Sequence, residues 1–278
     1  MQSNLPKNTP RASLPHAPSS TLRAGLYLTL LCCLLNAPPC YQAQTTPREI
    51  DVLATADLQP VLPALAEAFT HATNIKLIVR YDSSSILATQ ILKGDPADLF
   101  LATDFSVPEK IIAADLADTP EPIAYARGTL VLWARKDSPL QPLTQNTLRD
   151  PRVQSLAIPS PDHITYGRAA VAVLNRMKLY DQLKPHLIVA EDLAQTADLI
   201  ESGKAQLGFL SLTLVSSEHF KQIGSYILMP PSAYSQIRQC AVVMKNSAHN
   251  ADAHAFLDWL RSPPIQKGLP AYGLDPLQ

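Results

Sequence analysis

The chain is short of glycine, cysteine, aromatic residues and net charge, and each shortage removes a class of function. Its nine glycines build no loop of the kind that cradles nucleotide phosphates: there is no P-loop, no dinucleotide-binding glycine fingerprint and no G-x-S-x-G nucleophile elbow. The formal net charge is −1 and aromatics make up 6% of the residues. Without a cluster of Lys and Arg, the electrostatic footprint of a nucleic-acid surface is missing. The histidines are scattered, and His249 and His254 stand five apart rather than the four that aligns two imidazoles on one helix face, which argues against a zinc pair. Three of the four cysteines, Cys32, Cys33 and Cys40, lie in or beside an amino-terminal apolar segment. Cys240 is then alone in the body, where no internal disulfide can form. In its apolar surroundings it reads as a buried core thiol.

That apolar segment, AGLYLTLLCCLLNA (24–37), follows Lys7, Arg11 and Arg23 and precedes Pro38 and Pro39. It has the length of a secretory signal core and falls short of the roughly 20 apolar residues of a membrane span. Residues 1–46 are therefore read as an export signal and leader, cleaved between Ala37 and Gln44, with a periplasmic destination. Cys40 raises lipid anchoring as an alternative, although the preceding APP makes a poor lipobox.

The body alternates strand and helix patterns. EIDVLATA (49–56), IKLIVRY (75–81) and ADLFLAT (97–103) read as strands, separated by helical spacing over 58–73 and 85–94, with Gly94 ending the second helix. A second set follows: strands at 128–135, 155–160, 187–192 and 206–215, with helices at 167–180 and 193–204. A strand at 238–245 and an amphipathic helix at 251–262 close the chain. Such order predicts an α/β fold of two lobes, each a mostly parallel sheet flanked by helices, with a cleft between them. The expected boundaries are 47–125 plus 235–278 for the first lobe and 126–234 for the second.

In such sheets ligands bind beyond the carboxyl ends of the strands, where loops enter helices. The loops ATADLQ (54–59), YDSSSI (81–86), SPDHITYGR (160–168) and AEDLAQ (190–195) are rich in small or hydroxyl side chains, and the strand around Ser211 supplies a fifth candidate. Helix N-termini carry unsatisfied N–H groups and about half a positive charge, so together with Ser hydroxyls they can hold a small oxyanion without Lys or Arg. The competing reading of any one loop is an ordinary N-cap or turn. Asp95, Asp98 and Asp104 of GDPADLFLATD suit structural hydrogen bonds at strand ends better than acid–base work, and Trp133 and Trp259 suit the core.

The stretches VLATADLQPVLPALAEAFT, YDSSSILATQILKGDPADLFLATD, SPDHITYGRAAVAVL and AEDLAQTADLIESGKAQLGFLSL occur in that order over about residues 49–276. In them the chain resembles the periplasmic molybdate-binding proteins of ABC importers. The resemblance implies a type II periplasmic binding fold, closing on molybdate or tungstate as ligand and working with an inner-membrane ABC permease. It also implies a monomer with no catalytic residue, no cofactor and no bare metal ion. The family's contacts fall here on Asp57, where the family has a Ser, on Ser84, on the backbone amides of Tyr166 and Leu193, and on Ser211, where the family often has a Tyr.

Asp57 is the departure that matters, because an ionised carboxylate facing the ligand would repel a dianion. Either its side chain caps the helix below and only its N–H meets the ligand, or it shares a proton with an oxyanion such as hydrogen phosphate. The alternatives to molybdate are therefore another tetrahedral oxyanion, phosphate or sulfate. From other classes come a serine hydrolase, for which no Ser/His/Asp arrangement is evident, and a regulator's effector domain, which should lack the export signal.

Overall fold

Residues 48–277 are described in a computed structural model of the chain. The export segment, its cleavage window and Cys40 lie outside them.

Near-continuous apolar runs make strands buried on both faces, with successive side chains pointing to opposite sides. Strand β1 (Arg48–Thr55) sends Ile50, Val52 and Ala54 into one core and Leu53 into another. β3 (Leu99–Ala102) likewise divides Leu99 and Leu101 from Phe100 and Ala102. With β2 (Ile75–Asp82), β4 (Ile123–Gly128), β10 (Ile237–Val243) and β11 (Leu274–Asp275) they form a six-stranded sheet ordered β11-β4-β10-β3-β1-β2. A second sheet, ordered β7-β6-β8-β5-β9, contains β5 (Leu130–Arg135), β6 (Leu156–Pro159), β7 (Leu187–Ala190), β8 (Leu207–Ser211) and β9 (Gly224–Leu228). It encloses a core of its own around Trp133, Phe209 and Val173.

Both sheets are mixed rather than mostly parallel. β1 runs parallel to β2 and β3, and β6 to β7 and β8. β10 is antiparallel to β3 and β4, β11 to β4, and β5 to β8 and β9. The antiparallel members include the strands on either side of the two places where the chain passes between sheets, from β4 to β5 and from β9 to β10. These passages reverse strand direction in a way that repeated strand–helix–strand units would not.

Helices α1 (Leu62–Thr73), α2 (Ser84–Leu92), α4 (Thr165–Arg176), α5 (Leu193–Glu201) and α6 (Asn250–Arg261) follow the expected spacing closely, whereas α3 (Ser106–Ala113) is an element the sequence reading does not contain. α1 starts four residues later than 58, because a 3-10 turn (Ala56–Leu58) and Pro60 intervene. α2 ends as expected, with Gly94 at φ 93 and its N–H on the Ile91 carbonyl. The run 206–215 is not one strand: β8 stops at Ser211, which caps a short helix, Leu212–Val215. Cys240 packs among Phe100, Val242 and Met244 and donates to the Asp104 carbonyl at 3.0 Å. Burial pushes its thiol far above the usual range. Trp133 is fully buried, as expected.

Candidate functional site

Three helix starts from the two sheets converge on one cavity of about 290 Å³. α2 follows β2 of the first sheet, while α4 and α5 follow β6 and β7 of the second. No Lys or Arg is among the described residues lining the cavity. A larger open groove of about 840 Å³ adjoins it, shares Ser83, His163 and Ile164, and is bordered by the exposed Ile86 and Val189. The smaller cavity is where the polar groups meet.

The serine triplet divides its work. Ser83, in extended backbone, caps α2 by accepting the Ile86 N–H at 3.4 Å. Its own N–H donates to the Asp82 carboxylate at 2.6 Å. Ser84 is the first helical residue and is 5% exposed, and its Oγ has no hydrogen-bond partner. A buried hydroxyl in that state forgoes about 1–3 kcal/mol until something accepts from it. Thr55, at the end of β1, is its counterpart: its Oγ1 is buried, without a partner, and on the same cavity. Sequence reasoning picked the ATADLQ loop but passed over Thr55, since a Thr closing a strand carries no distinguishing signal.

α4 begins without a side-chain cap, so the first-turn N–H groups of Thr165 and Tyr166 have no intrahelical acceptor. Its start is pressed against the end of β6. A Cβ on Gly167 would lie 2.3 Å from the Pro159 carbonyl oxygen and 2.6 Å from that of Ser160. The glycine of TYG is therefore what lets this helix end reach the cavity. α5 opens on Asp192, whose carboxylate accepts the Gln195 N–H at 2.7 Å. Leu193, its first residue, lines the cavity with its N–H at the helix end.

Asp57 does not cap a helix. Its Oδ2 accepts from Gln239 Nε2 at 2.6 Å and from the Tyr166 hydroxyl at 3.3 Å. Gln239, fully buried on β10, accepts in turn from the Tyr125 hydroxyl at 3.3 Å. The Tyr166 ring is seated over Gly128, where a Cβ would come within 2.4 Å of its hydroxyl oxygen. With no cation alongside, burial raises the Asp57 carboxyl to about 6. The Thr55 hydroxyl opposes that rise, yet forms no hydrogen bond of ordinary geometry. Burial, the negative charge on Asp57 and the hydrogen bond to it push the Tyr166 hydroxyl well up, so it stays protonated.

Of the expected site residues, then, Asp57, Ser84, Tyr166 and Leu193 share one cavity. Ser211 is not among its lining residues. Its Oγ accepts from Thr213 Oγ1 at 2.8 Å and from the Leu214 N–H at 3.3 Å, which spends it on a helix cap. The acidic trio is structural. Asp95 pairs with Arg80, and Asp98 accepts the Asp51 N–H and the Ser247 hydroxyl. Asp104 reaches across the sheets, its Oδ2 accepting from Thr165 Oγ1 and from Arg168 Nη2, each at 2.9 Å.

A family model described as bacterial extracellular solute-binding protein matches residues 50–275, and the chain belongs to that family. It is 30% identical to the molybdate-binding protein ModA of Azotobacter vinelandii over 225 residues, 81% of this chain and 89% of the relative. It is 28% identical to ModA of Rhodobacter capsulatus over 253 residues, 91% and 96% of the two chains. The solved structure of the Azotobacter vinelandii periplasmic molybdate-binding protein superposes with a TM-score of 0.75 at 29% identity, over 82% of this chain and all of the other.

Proposed function

We propose that this solute-binding protein captures molybdate, or its congener tungstate, in the periplasm and delivers it to an ABC permease of the inner membrane, working as a monomer. The two sheets act as two lobes that close on the anion; the expected boundary at 125/126 falls inside β4 of the first sheet, so the first lobe runs on to Gly128 and is completed by 235–278, and the second takes up the chain between. The observation that carries this reading is the buried, partnerless Ser84 hydroxyl at the head of α2, facing a cavity onto which α4 and α5 also open. Ser84 Oγ, Thr55 Oγ1 and the first-turn amides of Tyr166 and Leu193 supply four donors, enough for one to each oxygen of a small tetrahedral oxyanion. The names of the relatives supply the identity of the anion. Ser211 is left out of the set because it is occupied elsewhere. A hydrolase would need a base on its serine, and Ser84 Oγ has no partner at all.

Calorimetric titration of the mature protein with molybdate, tungstate, sulfate and phosphate tests this. Molybdate and tungstate should bind at micromolar concentrations or below, and absence of such binding would sink the proposal. Ser84→Ala should lose roughly 1–3 kcal/mol of anion affinity. An unchanged affinity would return Ser84 to being part of a cap.

A further inference from the structure

Asp57 is the residue on this cavity that an anion receptor has least reason to carry. Its carboxyl lines the space into which the partnerless hydroxyls and the helix N-termini point, and no Lys or Arg among the described residues lies there to neutralise it. It is fixed there by two other elements, since Gln239 of β10 and Tyr166 of α4 both donate to Oδ2. Both hydrogen bonds fall on that one oxygen, which leaves Oδ1 to carry a proton. A fully ionised dianion beside an ionised, buried carboxylate is unfavourable at any dielectric the site can have, whereas one proton between them turns repulsion into a hydrogen bond.

We propose that Asp57 is a specificity determinant of the site: the bound complex holds one proton between its carboxyl and the oxyanion. A dianion without a proton of its own is then taken up only together with one from solvent, while an oxyanion that already carries a proton brings it along. This inference rests on the oxyanion reading above and deepens it. The proton balance is simple. Ionised site, dianion and one proton give the complex, and no covalent bond is made or broken.

Several other titratable groups surround Asp57. Tyr166 on α4, and Tyr125 on β4 acting through Gln239, are held protonated by burial. Tyr81 and Asp82 from β2, His163 from the β6–α4 turn and Asp192 ahead of α5 line the same cavity. The short helix Leu212–Val215, which packs on the turn holding Asp57, carries no titratable residue. Burial raises the carboxyl to about 6, and a dianion bound beside it can only raise it further. Apparent affinity for molybdate should therefore fall about tenfold per pH unit above that value, until the pH reaches the carboxyl's value in the complex.

The test is a proton inventory: titrate the protein with molybdate at pH near 8 in two buffers of different ionisation heat, then repeat with inorganic phosphate. Close to one proton taken up per molybdate supports the proposal. Molybdate binding with no proton uptake and a flat pH profile overturns it. Phosphate, present as hydrogen phosphate, should take up none if it binds, and uptake of a proton with phosphate would also count against the proposal. Asp57→Asn imitates the protonated carboxyl, so its molybdate affinity should no longer depend on pH. The other titratable residues of the cavity stay in place in that variant, so a pH dependence that survives overturns the assignment to Asp57. The wild-type inventory stands even if the variant does not fold. If neither anion binds at any pH, the oxyanion reading itself fails, an outcome distinct from binding without a proton.

Discussion

Asp57 also leaves a mark on stability in the absence of any ligand. Its folded value of about 6 stands above the ordinary 3.8, so the folded state holds a proton over a range where the unfolded chain has released it. Stability is then fully present below the unfolded value and is lost as pH rises through the folded one. The loss from this residue between about pH 4 and pH 6 is on the order of 3 kcal/mol. Asp57→Asn should flatten that portion of a urea-midpoint profile and make the protein more stable than wild type at pH 7. A variant whose profile parallels wild type across the range would show that Asp57 is ionised at little cost, with Gln239 and Tyr166 compensating for its burial. The function proposed for the residue gives a reason to retain a group that the fold would be more stable without.

At the scale of elements, the starts of α2, α4 and α5 do more for the site than any one side chain. Gly167 is the sharpest test, because the atoms a new Cβ would meet are backbone carbonyls at 2.3 and 2.6 Å and cannot swing aside. Gly167→Ala should force α4 away from β6, cost about 1–3 kcal/mol, and weaken anion binding by moving the Tyr166 amide. Chemical denaturation and titration of one preparation would check both, and normal stability with normal affinity would show that the close approach is dispensable. Much of this arrangement is legible in the sequence, since the helices follow apolar periodicity and their starts follow Ser, Asp and the TYG turn. What escapes the sequence does so for physical reasons. β4, β9 and β11 were not foreseen because IAYARG and GSYIL are half-exposed and the last strand is two residues long, leaving little pattern to read. Ser211 looked like a strand residue with a free hydroxyl because Leu212–Val215 is as apolar as the strand before it. Thr55 and Gln239 were missed because their roles depend on neighbours 182 residues apart in one case, and on the absence of any partner in the other.

On the scale of the whole molecule, the chain passes between the sheets twice, and residues from the ends of both sheets line the cavity. Asp104 reaches across the sheets. Its Oδ2 draws together Thr165 Oγ1 and Arg168 Nη2 from the head of α4, while its Oδ1 holds the Val107 N–H and the Ser106 hydroxyl at the head of α3. Thr103 Oγ1, next in the chain, lies 3.3 Å from Thr165 Oγ1. The Arg168 side chain is 45% exposed, so the ion pair is worth only about 0–1 kcal/mol to folding. Its place between the proposed lobes gives it a different use, since a contact that bridges them would have to break before the cleft opened and would add to the barrier for release. Arg168→Met keeps most of the stem and removes the charge. It should leave the unfolding midpoint nearly unchanged while speeding molybdate release by up to about fivefold, the kinetic equivalent of roughly 1 kcal/mol. Raising ionic strength should bring wild type towards the variant, because screening weakens a half-exposed pair. Stopped-flow release into excess tungstate at low and high salt would measure both effects. Equal rates for the two proteins at low salt would mean that Asp104 organises the head of α3 and takes no part in holding the cleft shut.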